Sequence, residues 1–138
     1  MRQILIVLFA LLPVCAIAQE RDSRFADYAA YAEFADSRIA RREFIELIQV
    51  LGGRDEYTPE QLRSLQGRFV AIYPVDFIGR AVVKETDLGA GFRQEMRIYW
   101  NQGSGYLYFY AMLHERDDEI VVLNFVLNSD VSKVLAEF

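Results

Sequence analysis

The feature that most constrains this chain is a change of hydrophobic period at Pro74. Before it, apolar residues recur at Phe25, Tyr28, Ala32, Ala35 and Ile39, then at Phe44, Leu47, Ile48 and Leu51. Spacings of three and four put such side chains on one stripe of a helix. After Pro74 the period is two, in segments rich in aromatic and β-branched residues, a pattern that suits half-buried strands. Helices first and strands second is the plan of an α+β domain with segregated elements.

In the helical half no glycine or proline interrupts Asp22 to Leu51. The apolar register shifts between Ile39 and Phe44, and Asp36 and Ser37 are good N-cap residues. The stretch is therefore two helices meeting near Asp36 or one long bent helix. Gly52-Gly53 ends it. Thr58-Pro59-Glu60-Gln61 then reads as a helix start, with Thr58 as N-cap, Pro59 in the first turn and Gln61 reaching back. Leu62, Leu65, Phe69 and Ile72 keep helical spacing through Gly67, while Phe69 to Tyr73 would also serve as a short strand. Periodicity leaves both readings open.

Four strands are expected in the second half: Phe77 to Thr86, Phe92 to Trp100, Tyr106 to Glu115 and Ile120 to Leu127. The gaps at Asp87 to Gly91, Asn101 to Gly105 and Arg116 to Glu119 carry turn chemistry, so the strands form an antiparallel meander. In the third strand Leu107, Phe109, Ala111 and Leu113 face one way, and Tyr106, Tyr108, Tyr110, Met112 and His114 the other. In the second, Phe92, Gln94, Met96, Ile98 and Trp100 alternate with Arg93, Glu95, Arg97, Tyr99 and Asn101. Strict alternation along the fourth sets Val121, Leu123, Phe125 and Leu127 against Ile120, Val122 and Val126, so that strand is covered on both faces. Ser129 or Asp130 starts a short last helix through Val131, Val134 and Leu135. The expected fold is α+β: N-terminal helices packed on a four-stranded antiparallel meander sheet, with a short C-terminal helix.

The first eighteen residues stand apart. Met1-Arg2-Gln3 is a basic start, Ile4 to Leu12 is an unbroken apolar run, Pro13 breaks it, and Ala16-Ile17-Ala18 supplies small residues at signal-peptidase spacing. The stretch is too short to span a bilayer. A signal peptide over 1–18 is expected, cut between Ala18 and Gln19, leaving 19–138 as a single α+β domain in the periplasm or secreted. Cys15 is no lipoprotein cysteine, since the bulky Val14 precedes it. The mature chain has no cysteine, and fourteen Lys and Arg against twenty Asp and Glu give it a net charge of −6. Disulfides and thiol catalysis vanish together, and net charge offers nothing to nucleic acid or anionic lipid. No transmembrane helix is expected in the mature chain.

From about Phe25 to Leu127 the order of elements resembles the cystatin-like group of folds, including the nuclear-transport-factor-2-like cone. The resemblance is one of architecture, a sheet curled around a long helix. It brings no motif and no catalytic or binding residue. The inhibitory loop signature of true cystatins is absent, so protease inhibition is not implied.

Residue types narrow the chemistry. His114 is the only histidine and the sole candidate for a catalytic acid or base in the neutral range. One histidine and no cysteine make a poor zinc set. Glu115-Arg116-Asp117-Asp118-Glu119 lacks the glycine-centred acidic loop of calcium hands and reads as a solvated hairpin turn. Gly103 and Gly105 lie between two strands, so they form a hairpin loop and not a phosphate cradle. Twenty carboxylates offer many pairs for glycoside chemistry, and nothing selects one. No cofactor is expected.

What remains is an aromatic concentration: Tyr99, Trp100, Tyr106, Tyr108 and Tyr110 lie within twelve residues. Tyrosine and tryptophan combine apolar area with a polar tip, which suits a sheet face used by a second copy, a small apolar ligand or an envelope protein. The expected function is a small exported binding or interaction module. The rival is a small-molecule enzyme using the cone interior, with His114 and nearby Tyr110 or Asp117 as acid or base.

Overall fold

The computed structural model describes residues 22–138; the expected leader and its cleavage point between Ala18 and Gln19 lie outside the described residues. Helix α1 (Tyr28–Ala40) starts at Asp27, whose carboxylate accepts a hydrogen bond from the Ala30 amide at 2.8 Å. It runs straight through Asp36. The break falls later, at Arg41 to Glu43, where Arg42 takes a left-handed φ of 61°. The shift has a cause: the Asp36 carboxylate is bound by Arg97 and Tyr99 of the sheet, so it caps nothing.

Helix α2 (Phe44–Ile48) widens into a π-type turn over Gln49–Gly53, in which Gly52 has φ 116°. Helix α3 (Pro59–Ile72) opens on the expected reciprocal cap between Thr58 and Gln61. It continues to Ile72, so Phe69 to Tyr73 is helical up to its last residue. Phe69 meets the Phe44 ring at 4.5 Å between centroids, a contact that the helical phase provides. A short α4 (Val131–Leu135) is capped by Asp130, which accepts from the Ser132 amide.

Among the described residues the sheet has five strands: β1 (Arg24–Phe25), β2 (Gly79–Gly89), β3 (Phe92–Trp100), β4 (Tyr106–Arg116) and β5 (Glu119–Asn128), in the order β1-β5-β4-β3-β2 with every pair antiparallel. The α+β plan and the meander hold. The fifth strand, β1, is two residues long, too short to display a period. It pairs Arg24 with Val121 and Phe25 with Ile120.

Strand β5 also corrects the strict alternation expected of it. An extra residue, Leu123, lies between the pairs Leu113–Val122 and Met112–Asn124. One extra residue flips every later side chain to the other face. Ile120 and Val122 therefore share a face with Phe125 and Leu127, and Leu123 is left 48% exposed.

The main core lies between that face and the helices. Tyr31, Ala35, Ile39, Phe44 and Leu47 pack against Leu107, Phe109, Ala111 and Leu113, all fully buried. Burying an aliphatic or aromatic side chain of this size contributes about 1.5–3 kcal/mol. A smaller cluster covers the opposite face, where Val134 of α4 joins Met96 and Tyr110. Among the described residues no helix is long and apolar enough to cross a membrane.

Candidate functional site

The polar half of β3 faces the helices. Arg93, Glu95, Arg97 and Tyr99 alternate along one side of the strand; Glu95, Arg97 and Tyr99 are buried, and Glu95 is 0% exposed. Its carboxylate accepts from the Tyr28 hydroxyl at 2.7 Å, the Tyr31 hydroxyl at 2.8 Å and the Arg97 Nε at 2.7 Å. Arg97 also donates to both oxygens of Asp36 and to the Tyr28 hydroxyl. Asp36 accepts a further bond from the Tyr99 hydroxyl at 2.7 Å and forms an ion pair with the exposed Arg80 at 2.9 Å. Arg93 stacks its guanidinium over the Tyr28 ring at 3.9 Å.

Burial and the neighbouring Glu95 carboxylate push the Tyr28 phenol up to about 12. Burial, with Glu95 or Asp36 alongside, holds Tyr31 and Tyr99 well above the ordinary tyrosine value. Burial works against the charge on Arg97, but the bond and charge of Glu95 outweigh it and raise the guanidinium above its usual range. All three phenols are therefore fixed donors at neutral pH. Every oxygen of Glu95 and Asp36 is engaged, while Nε and one terminal nitrogen of Arg93, buried against the Tyr28 ring, have no hydrogen-bond partner among the described residues. The chemical work of the network is to fasten α1 to β3.

An open site lies elsewhere, between α3 and β5. Only Leu62 of α3 is fully buried, and the helix is held from α2 rather than from the sheet. Gln66 accepts from the Phe44 and Ile45 amides and donates to the Arg42 carbonyl at 2.6 Å, acting as the N-terminal cap that α2 lacks from its own residues. Held this way, α3 stands off β5 and leaves a cleft of about 380 Å³, within the range of small-ligand pockets. Ile48, Leu51, Leu65 and Phe69 form its helical wall, and Val122 to Leu127 its sheet wall, with Glu56 and Tyr57 also lining it. A neighbouring hollow shares Leu65, Phe69 and Leu127 and carries the groove on to Arg68 and Ser129. At the other end Ser23 presses on the wide turn: a β-carbon at Gly52 would stand 2.9 Å from its Oγ.

The aromatic residues singled out from the sequence are divided among three environments. Tyr99 is 0% exposed on the helix face. Tyr110 is buried beneath Phe138, whose ring meets it edge-on at 5.2 Å, and its hydroxyl accepts from Gln94. Trp100, Tyr106 and Tyr108 remain together, with Trp100 directly opposite Tyr106 and Tyr108 half-buried beside Met96 and Tyr110. Tyr106 is 49% exposed, and Trp100 lies so closely over Gly79 that a β-carbon there would overlap the indole. His114 stacks flat on Phe92 at 3.9 Å and, among the described residues, makes no side-chain hydrogen bond. Asp117 sits exposed in the β4–β5 turn, where Glu119 is bound by Arg24. Asn101, read from the sequence only as the first residue of a turn, organises the Gly103–Gly105 loop by accepting from both glycine amides. Among the described residues no group of three or more His, Cys, Asp or Glu is placed to hold a metal ion.

Comparison with protein-family models, with curated proteins and with solved structures finds no match to this chain. The functional reading therefore stands on the cleft and the network.

Proposed function

We propose that the chain is an exported interaction module that takes an apolar ligand or partner segment in the cleft between α3 and β5. The observation that carries the reading is the contrast between the two sites. The carboxylates of the polar constellation are all engaged by the chain's own donors, whereas the cleft joins an apolar wall to open access. The leader pattern of residues 1–18 supports export, and the helix-then-sheet order supports a place among the cystatin-like cones. The acid–base alternative gains nothing from His114, which is stacked on Phe92 and unaccompanied by a bonded carboxylate among the described residues.

The dye 1-anilinonaphthalene-8-sulfonate tests the site. It is expected to brighten saturably on the purified chain, to lose most of that signal in Leu65→Glu, and to keep it in Tyr108→Glu. The reverse pattern would move the site to the aromatic sheet face. Mass spectrometry of the protein from its host is expected to find Gln19 as the first residue, and an intact Met1 would refute cleavage.

A further inference from the structure

The two outer edges of the sheet are built differently. That of β2 carries Arg80, Lys84, Glu85 and Asp87 and is interrupted by two bulges, one after Val82 and one after Asp87. Charges and bulges are the usual means of keeping an edge from pairing with another chain. The edge of β5 is covered by β1 at Ile120 and Val121, and the Ser23 carbonyl takes the Val122 amide at 2.7 Å. There the covering chain turns off, with Ser23 at φ 65° and its amide bonded to the Val50 carbonyl. From Leu123 to Asn128 the edge has no strand beside it among the described residues and no charged side chain. Its one bulge, at Leu123, stands at the start of this stretch.

That edge borders the cleft. Six consecutive residues, Val122 to Leu127, line it. Side chains of a strand alternate between faces, so an unbroken run lines a hollow only where the main-chain edge is presented to it. We infer that the cleft accepts an extended segment of a partner protein, which joins the sheet as a strand beside β5 in continuation of β1. This rests on reading the cleft as the binding site. Unpaired amides and carbonyls in series are satisfied by another extended backbone, while an acyl chain would fill the apolar wall and leave them unpaired. Leu51, Leu65 and Phe69 take every second side chain, so the segment is apolar at alternate positions.

The test uses an acetylated peptide alternating valine and threonine, fluorescently labelled, and two derivatives N-methylated on one or the other alternate set of amides. A strand pairs through one edge only. The parent is expected to bind the purified chain, one derivative to lose about tenfold or more in affinity, and the other to bind nearly as the parent. Leu123→Lys, a change at an exposed position, is expected to weaken the parent similarly. If both derivatives bind like the parent in a manner sensitive to Leu65→Glu, the cleft is a binding site and strand pairing is wrong. If the parent does not bind, strand pairing is wrong, and the cleft reading is then decided by the dye signal and its loss in Leu65→Glu. Concentration-dependent dimerisation abolished by Leu123→Lys would assign the edge to a second copy and overturn the partner segment.

Discussion

Glu95 touches no solvent, and its donors come from residues 2, 64 and 67 positions away. Glu95→Ala leaves the Arg97 guanidinium buried without its strongest partner, so a loss of about 3–5 kcal/mol is expected in chemical denaturation. Glu95→Leu combined with Arg97→Met is expected to cost less than either change alone, because no charge is then buried by itself. The tyrosines add a pH dependence. Below pH 10 the folded and unfolded chains both keep their phenolic protons. Above it the unfolded chain releases protons at the ordinary value of 10.0, while Tyr31 and Tyr99 retain theirs in the fold. Stability must then fall as pH rises, by about 1.4 kcal/mol per pH unit for each fully buried phenol and by less for Tyr28, which is partly exposed. Urea denaturation from pH 8 to 11 checks this, and a flat profile would contradict it. None of this was legible in the sequence, where Arg93, Glu95 and Arg97 at alternate positions look like a solvent face. The one available signal was a pair of tyrosines, Tyr28 and Tyr31, on the apolar stripe of α1, whose hydroxyls need buried partners.

Among the elements, the cap at Thr58, the stop at Gly52-Gly53 and the three long hairpins could be read directly, since each depends on residues close in the chain. The end of α1 could not, because Asp36 is diverted from capping by the sheet. Nor could the facing of β5, where a single bulge at Leu123 reverses the alternation. Gln66 is the clearest case of an element held from afar. It lies 21 and 22 residues from the amides that it caps. Gln66→Ala is expected to cost about 1–2 kcal/mol and to speed hydrogen exchange at Phe44 and Ile45. Exchange unchanged at those amides would show that α2 holds its first turn without α3.

For the molecule as a whole, segregated helices and strands followed from the change of period at Pro74, but the distance between α3 and β5 has no local signature. It results from Gln66 and Phe69 tying α3 to α2 while Leu62 alone is fully buried. The same arrangement leaves the uncharged edge of β5 unguarded inside a cleft, and takes Tyr99 and Tyr110 out of the aromatic surface that their sequence clustering suggested. The most direct measurement is an amide chemical-shift map of the isotope-labelled chain titrated with the valine–threonine peptide. Shifts are expected to concentrate at Leu65 to Phe69 and Val122 to Leu127. Shifts concentrated instead at Trp100, Tyr106 and Tyr108, with the α3–β5 amides unmoved, would contradict a site in the cleft.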